Sequence, residues 1–105
     1  MSRKQLTLQM ARECVYTILD VNRAINAKFI DEQVAKNNFT AAANMQLAQQ
    51  KTQDEFRSVF NQLTEVQSVK DVFSDMYGIT VMVLKELRMP IPNMLQLAKI
   101  CIERQ

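Results

Sequence analysis

The sequence has very little glycine or proline and no histidine. Its 105 residues include one glycine, Gly78, and two prolines, Pro90 and Pro92, with no tryptophan. Ordinary glycine usage is about seven in a hundred residues. Because tight turns depend on glycine and proline dihedrals, this scarcity argues strongly against β-sandwiches, barrels and glycine-rich phosphate-binding loops. An all-α fold with few loops remains.

The absence of histidine removes the most common general base and neutral metal ligand. Cys14 and Cys101 are too far apart in sequence for a zinc-binding spacing, and both lie among apolar residues, which predicts core thiols rather than nucleophiles. Two pairs of adjacent acidic residues diverge by about 100° around a helix, which suits solvated faces. We therefore predict that the chain is not an enzyme and binds no metal or cofactor.

No targeting or membrane-spanning segment is visible. Arg3 and Lys4 are basic, but the residues that follow them are interrupted by polar side chains, unlike a signal peptide. No apolar run approaches the length of a membrane span. The sequence therefore predicts a cytoplasmic or otherwise intracellular protein with two free, buried thiols, since a disulfide would require the two ends to lie side by side.

Residues 1–39 are predicted to form a first helix and a turn. Ser2 is a candidate N-cap, and a slip in the pattern near Ile30 suggests a kink there. Asn37 and Asn38 favour a turn, after which Thr40 is expected to cap the next helix. Apolar residues recur at three-, four- and seven-residue steps from about residue 4 to about residue 36, as expected for a broad buried helical face: Leu6, Met10, Cys14, Val21, Ile25 and Phe29.

Residues 40–78 carry the clearest helical pattern and predict one long central helix, with a break near Ser68 as the alternative. Gly78 is predicted to end this helix by adopting a left-handed backbone conformation. Replacing Gly78 with valine is therefore expected to strain the backbone and destabilise the fold. The apolar members of the pattern alternate at three and four residues: Met45, Phe56, Val59, Leu63, Val66, Phe73 and Tyr77, together with Thr52.

Residues 79–105 are predicted to form short C-terminal helices. Thr80 is expected to cap one helix, the segment from Pro90 to Pro92 to interrupt it, and Asn93 to cap the last helix. The expected fold is therefore a single all-α domain. It consists of an antiparallel helical hairpin of two long amphipathic helices plus one or two short C-terminal helices, as in a small helical bundle.

The hydrophobic content of 48% is high for an elongated helical chain, and the seven methionines add adaptable apolar surface. We therefore predict a non-catalytic interaction or assembly protein, structural or adaptor-like, that buries apolar helical faces in an oligomer or a larger complex. Its partner is a second copy or another protein. The candidate contact residues are Phe56, Val59, Phe60, Leu63, Phe73, Met76, Met82, Met89, Met94 and Leu95.

The alternative function is a small nucleic-acid-binding regulator, because residues 30–48 have the apolar spacing of a helix-turn-helix. Asn44 and Gln46 are then the candidates for reading adenine edges. The helix that carries them has no basic residue before Lys51, which is a weak basis for phosphate binding, so the corner of a helical hairpin is the favoured interpretation. The candidate phosphate contacts are Arg3, Lys4, Lys36 and Lys51.

Overall fold

The computed structural model describes residues 5–104, and within that range it contains four α-helices and no strand. The helices are α1 (Leu8–Ala35), α2 (Phe39–Gln62), α3 (Val66–Glu86) and α4 (Asn93–Glu103). Helix α1 is central: α2, α3 and α4 each pack against it, whereas α3 and α4 touch over a short stretch only. The prediction of an all-α helical bundle is confirmed. The predicted Ser2 cap lies outside the described residues.

Helix α1 supplies most of the core. Thr7 caps it by accepting a hydrogen bond from the backbone N–H of Met10 at 3.1 Å, and the helix continues without a break past Ile30 to Ala35, so the expected kink is absent. A broad face is necessary because three helices cover it. Its buried residues are Ala11, Cys14, Val15, Ile18, Leu19, Val21 and Ile25.

The turn between α1 and α2 lies where the asparagines predict it. Asn37 adopts the left-handed conformation, with φ of 61°, and the N–H of Asn38 bonds the carbonyl of Gln33 at 2.8 Å. Asparagine tolerates this conformation better than most residues do. Helix α2 begins at Phe39, directly after Asn38, so Thr40 lies inside the helix and the prediction that it is the cap is wrong.

The prediction of one long helix over residues 40–78 is also wrong. Residues 63–65 separate α2 from α3, with extended backbone at Leu63 and Glu65. This break lies before Ser68, and it lets α3 pack on a different side of α1 from α2. Burial of Val69 and Phe73 accompanies that change of direction. The break is therefore favoured by tertiary packing.

Gly78 does not end a helix. It lies exposed within α3, and its φ is not positive. Thr80 is buried inside the same helix, so it is not a cap. Residues 79–84 remain helical because Thr80 and Leu84 face the core. The left-handed residue that follows α3 is Arg88, with φ of 56°, and α4 is therefore the one short C-terminal helix within residues 79–104.

Replacing Gly78 with alanine is expected to stabilise the protein. A Cβ at this position meets nothing within 4 Å, and alanine is favoured over glycine in a helix by about 0.5–1 kcal/mol. Thermal denaturation followed by circular dichroism should show an increase of roughly 2–8 °C. A lower melting temperature would contradict the helical placement of Gly78 and favour a conformation that requires glycine.

The segment from Pro90 to Pro92 separates α3 from α4, as predicted. Asn93 is the first residue of α4, Pro92 occupies the cap position, and no side chain caps the helix, so the expected Asn93 cap is wrong. Helix α4 is apolar on two sides. One side packs in the core through Leu95, Ala98 and Ile102, and the other is exposed at Met94, Leu97 and Ile100.

Candidate functional site

Side-chain hydrogen bonds join the last turn of α2 to α1. One guanidinium nitrogen of Arg12 donates to the carbonyl of Leu63 at 2.6 Å and to that of Asn61 at 3.3 Å. The Tyr16 hydroxyl donates to the Asn61 side chain at 2.6 Å, and the Arg57 guanidinium lies 5.3 Å from the centre of the Tyr16 ring. These contacts satisfy carbonyls that the end of α2 leaves without helical partners.

The middle of the α1–α2 seam is polar. Gln53 is only 5% exposed, and its side-chain amide donates to the carbonyl of Leu19 at 2.9 Å while accepting from Arg23 at 2.8 Å. A polar cleft of about 760 Å³ lies alongside this seam and is bordered by Asp54 and Arg57. Because both the amide oxygen and the amide nitrogen of Gln53 have hydrogen-bond partners, a polar residue is stable at this buried position.

The apolar stripe of α2 faces solvent instead of α1. Its members follow steps of three and four residues, and we call them the α2 stripe: Met45, Ala48, Thr52, Phe56 and Val59. All five are exposed to some degree, and part of the stripe borders a groove of about 300 Å³ next to Asn22 and Asn26 of α1. The face of α2 that packs on α1 instead carries Ala42, Gln53 and Phe60. An unpartnered apolar stripe of this kind is suited to binding another protein surface.

The structure divides the ten predicted contact residues into three groups. Phe60, Phe73 and Leu95 are buried in the core and present no surface to a partner, which corrects their assignment as contact residues. Another three are half-buried against that core: Leu63, Met76 and Met89. Four are exposed: Phe56, Val59, Met82 and Met94.

Two further apolar patches lie on the exposed sides of α3 and α4. Ile79, Met82 and Val83 form the α3 patch, in which Met82 is 61% exposed. The α4 patch consists of Met94, Leu97 and Ile100, in which Leu97 is 64% exposed. Sequence reasoning identified only the methionines, although Ile79 and Leu97 lie three residues from them and thus on a neighbouring face of the same helix.

The candidate nucleic-acid contacts that fall in the described range are exposed. Lys36 lies in the turn after α1, and Asn44, Gln46 and Lys51 lie along α2. Arg3 and Lys4 lie outside the described residues. Arg12 of α1 also donates a hydrogen bond to the carbonyl of Leu63, which follows α2. The contacts between these two parts of the chain are therefore not confined to residues 30–48.

The two thiols meet where α1 packs against α4. Both cysteines are free; Cys14 is buried, as predicted, whereas Cys101 is half-buried. Burial raises the pKa of Cys14 to about 12, with a further contribution from the neighbouring Cys101 thiol. Because the thiolate is the reactive form of cysteine, the raised pKa favours a structural role for Cys14.

Residues 5–104 contain no helix with an apolar stretch long enough to cross a membrane. Over the same range, no three carboxylate or thiol side chains are grouped closely enough to hold a metal ion. No protein-family model matches the chain, and no curated protein or solved structure is significantly similar to it.

Proposed function

We propose that this chain is a non-catalytic interaction or assembly protein that acts through apolar helical faces, as an oligomer or as a subunit of a larger complex. The observation that carries the proposal is the exposure of apolar side chains in ordered stripes on α2, α3 and α4. Fully burying one exposed apolar side chain contributes about 1.5–3 kcal/mol, and these side chains are already partly buried. Covering several of them at once therefore supplies part of the free energy that offsets the cost of association.

We also propose that α1 and α2 form an antiparallel hairpin that acts as the scaffold for these faces. Three contacts support this arrangement: Arg12 with Leu63, Tyr16 with Asn61 and Arg23 with Gln53. Along α1 the residue numbers in these contacts increase from 12 to 16 to 23. The numbers of the residues that they contact decrease from 63 to 61 to 53. The polar residues in this seam hold the two helices together, while the α2 stripe remains available to a partner.

The proposal predicts that the folded chain is not an isolated monomer. Light scattering coupled to size exclusion, over a range of concentrations, should give a mass above 12.1 kDa for the purified chain. Otherwise the chain should co-purify from its own source with a protein that stays bound in native mass spectrometry. A well-folded monomer that has no partner by either measurement would contradict the proposal.

A separate DNA-binding experiment tests the alternative function, the nucleic-acid-binding regulator. Retention on mixed duplex DNA at low salt, with a sequence preference that changes when Asn44 and Gln46 are replaced by alanine, would favour the regulator over the assembly protein. Binding through phosphates falls steeply with salt, whereas burial of apolar side chains does not. A salt series therefore separates the two functions.

A further inference from the structure

We propose that Cys14 and Cys101 form a redox-sensitive lock, which joins α4 to α1 when the two thiols are oxidised to a disulfide. This lock does not depend on the proposed assembly function. A disulfide between cysteines so distant in sequence requires the two ends of the chain to lie side by side, and the fold meets that requirement because α4 packs against α1. Both thiols are free, and they are neighbours in this interface.

Small side chains accompany the two cysteines where α1 and α4 meet. Ala11 lies one turn before Cys14, and Ala98 lies one turn before Cys101, so each cysteine shares a helix face with an alanine. Both alanines are buried in the core that joins the helices. The distance between packed helices depends on the size of the side chains at their contact. The small residues here therefore favour the close approach that a disulfide requires.

The two thiols differ in their access to solvent. Cys14 is 5% exposed, and burial raises its pKa to about 12, with a further contribution from Cys101. Cys101 is half-buried at the edge of the same core. Because the thiolate is the reactive form of cysteine and its reactivity depends on access, Cys101 is the thiol that meets an external oxidant first. Cys14 then reacts only with the sulfur held next to it.

A small disulfide such as oxidised glutathione oxidises the pair in two exchange steps. The Cys101 thiolate attacks one glutathione sulfur, which forms a mixed disulfide and releases one glutathione thiolate. The Cys14 thiolate then attacks the Cys101 sulfur, which forms the Cys14–Cys101 bond and releases the second glutathione thiolate. The two protein thiols lose two electrons and two protons in total, and the two released glutathione molecules take them up.

The disulfide changes how α4 is held. In the reduced chain, α4 is attached to α1 by packing alone, mainly through Leu95, Ala98 and Ile102. The disulfide closes the chain between residues 14 and 101, which removes much of the conformational freedom that α4 and the rest of the chain gain on unfolding. Oxidation therefore fixes the position of α4 on α1, and reduction releases that constraint.

Treatment of the purified full chain with oxidised glutathione, without denaturant, tests the lock. The mass of the product should fall by two hydrogen atoms, and this assigns the bond because the chain has no other cysteine. The oxidised chain should keep its helical circular dichroism and melt about 10–20 °C higher. Dithiothreitol should reverse both changes. Amide hydrogen exchange should slow more in α4 than in α2, which packs mainly on α1.

Two single variants separate the steps. Cys101→Ser should leave the buried Cys14 unreacted, and Cys14→Ala should stop at the mixed disulfide between Cys101 and glutathione. Circular dichroism establishes that each variant is folded, and the result for the natural chain decides the matter if one is not.

A natural chain that stays reduced, keeps a bound glutathione or forms a disulfide-linked dimer would overturn the lock. An oxidised chain that loses helical signal or melts at a lower temperature would overturn it as well, because the bond would then form only after α4 has left α1. The assembly function would stand in each of these cases.

Discussion

Replacing Phe60 with alanine is expected to destabilise the protein by about 3–5 kcal/mol. Phe60 is 2% exposed in the core beneath α2, and its removal leaves a cavity that the packed helices can fill only in part. Small domains are stable by about 5–15 kcal/mol in total, so the expected loss is a large share. Chemical denaturation followed by circular dichroism measures it directly.

Phe56→Ala is the matched control, one turn earlier on the same helix. Phe56 is 37% exposed and stacks on Phe60 with ring centroids 6.0 Å apart, so its loss is expected to cost about 1–3 kcal/mol, less than the loss of Phe60. Equal destabilisation by the two substitutions would show that both rings are buried and that the α2 stripe is part of the core.

This pair also shows what the sequence did not distinguish on α2. Phe56, Val59 and Phe60 were predicted together as partner contacts, whereas Phe60 is buried and the other two are exposed. Two neighbouring stripes run along the helix: the apolar α2 stripe and a second one that contains Ala42, Gln53 and Phe60. The structure buries the second stripe, because Gln53 finds a hydrogen-bond acceptor at Leu19 and a donor at Arg23. Periodicity shows which residues share a face, but it does not show which face has a partner. That choice depends on side-chain contacts between distant residues.

The helix boundaries differ in how far they are set by local sequence. The turn at Asn37 and the interruption at Pro90 were predictable because each depends on the dihedral preferences of the residue itself. The break at residues 63–65 was not, since the apolar spacing of Val59, Leu63 and Val66 continues across it without interruption. Gly78 shows the converse: a residue that often ends helices stays in one when its neighbours pack against the core.

Arg12 is expected to be the residue of α1 that holds this break in place. Replacing it with methionine retains much of the aliphatic stem but removes the donors to Leu63 and Asn61. Hydrogen bonds that involve a charged group contribute about 1.5–3 kcal/mol, and a cation at a helix C-terminus adds to this. We therefore expect Arg12→Met to lower the free energy of unfolding by about 2 kcal/mol.

The matched control is Arg12→Lys, which keeps the positive charge but lacks the guanidinium donors that reach both carbonyls. Its loss should be smaller than that of Arg12→Met. The location of the effect distinguishes this role from general packing: amide hydrogen exchange should increase first in the last turn of α2 and in residues 63–65. Uniform acceleration across α1, α3 and α4, or no change in stability, would show that Arg12 does not fix the end of α2. If exchange does rise locally, the point at which the chain leaves α2 for α3 is determined by a side chain about fifty residues earlier, which explains why no local signal in the sequence marks it.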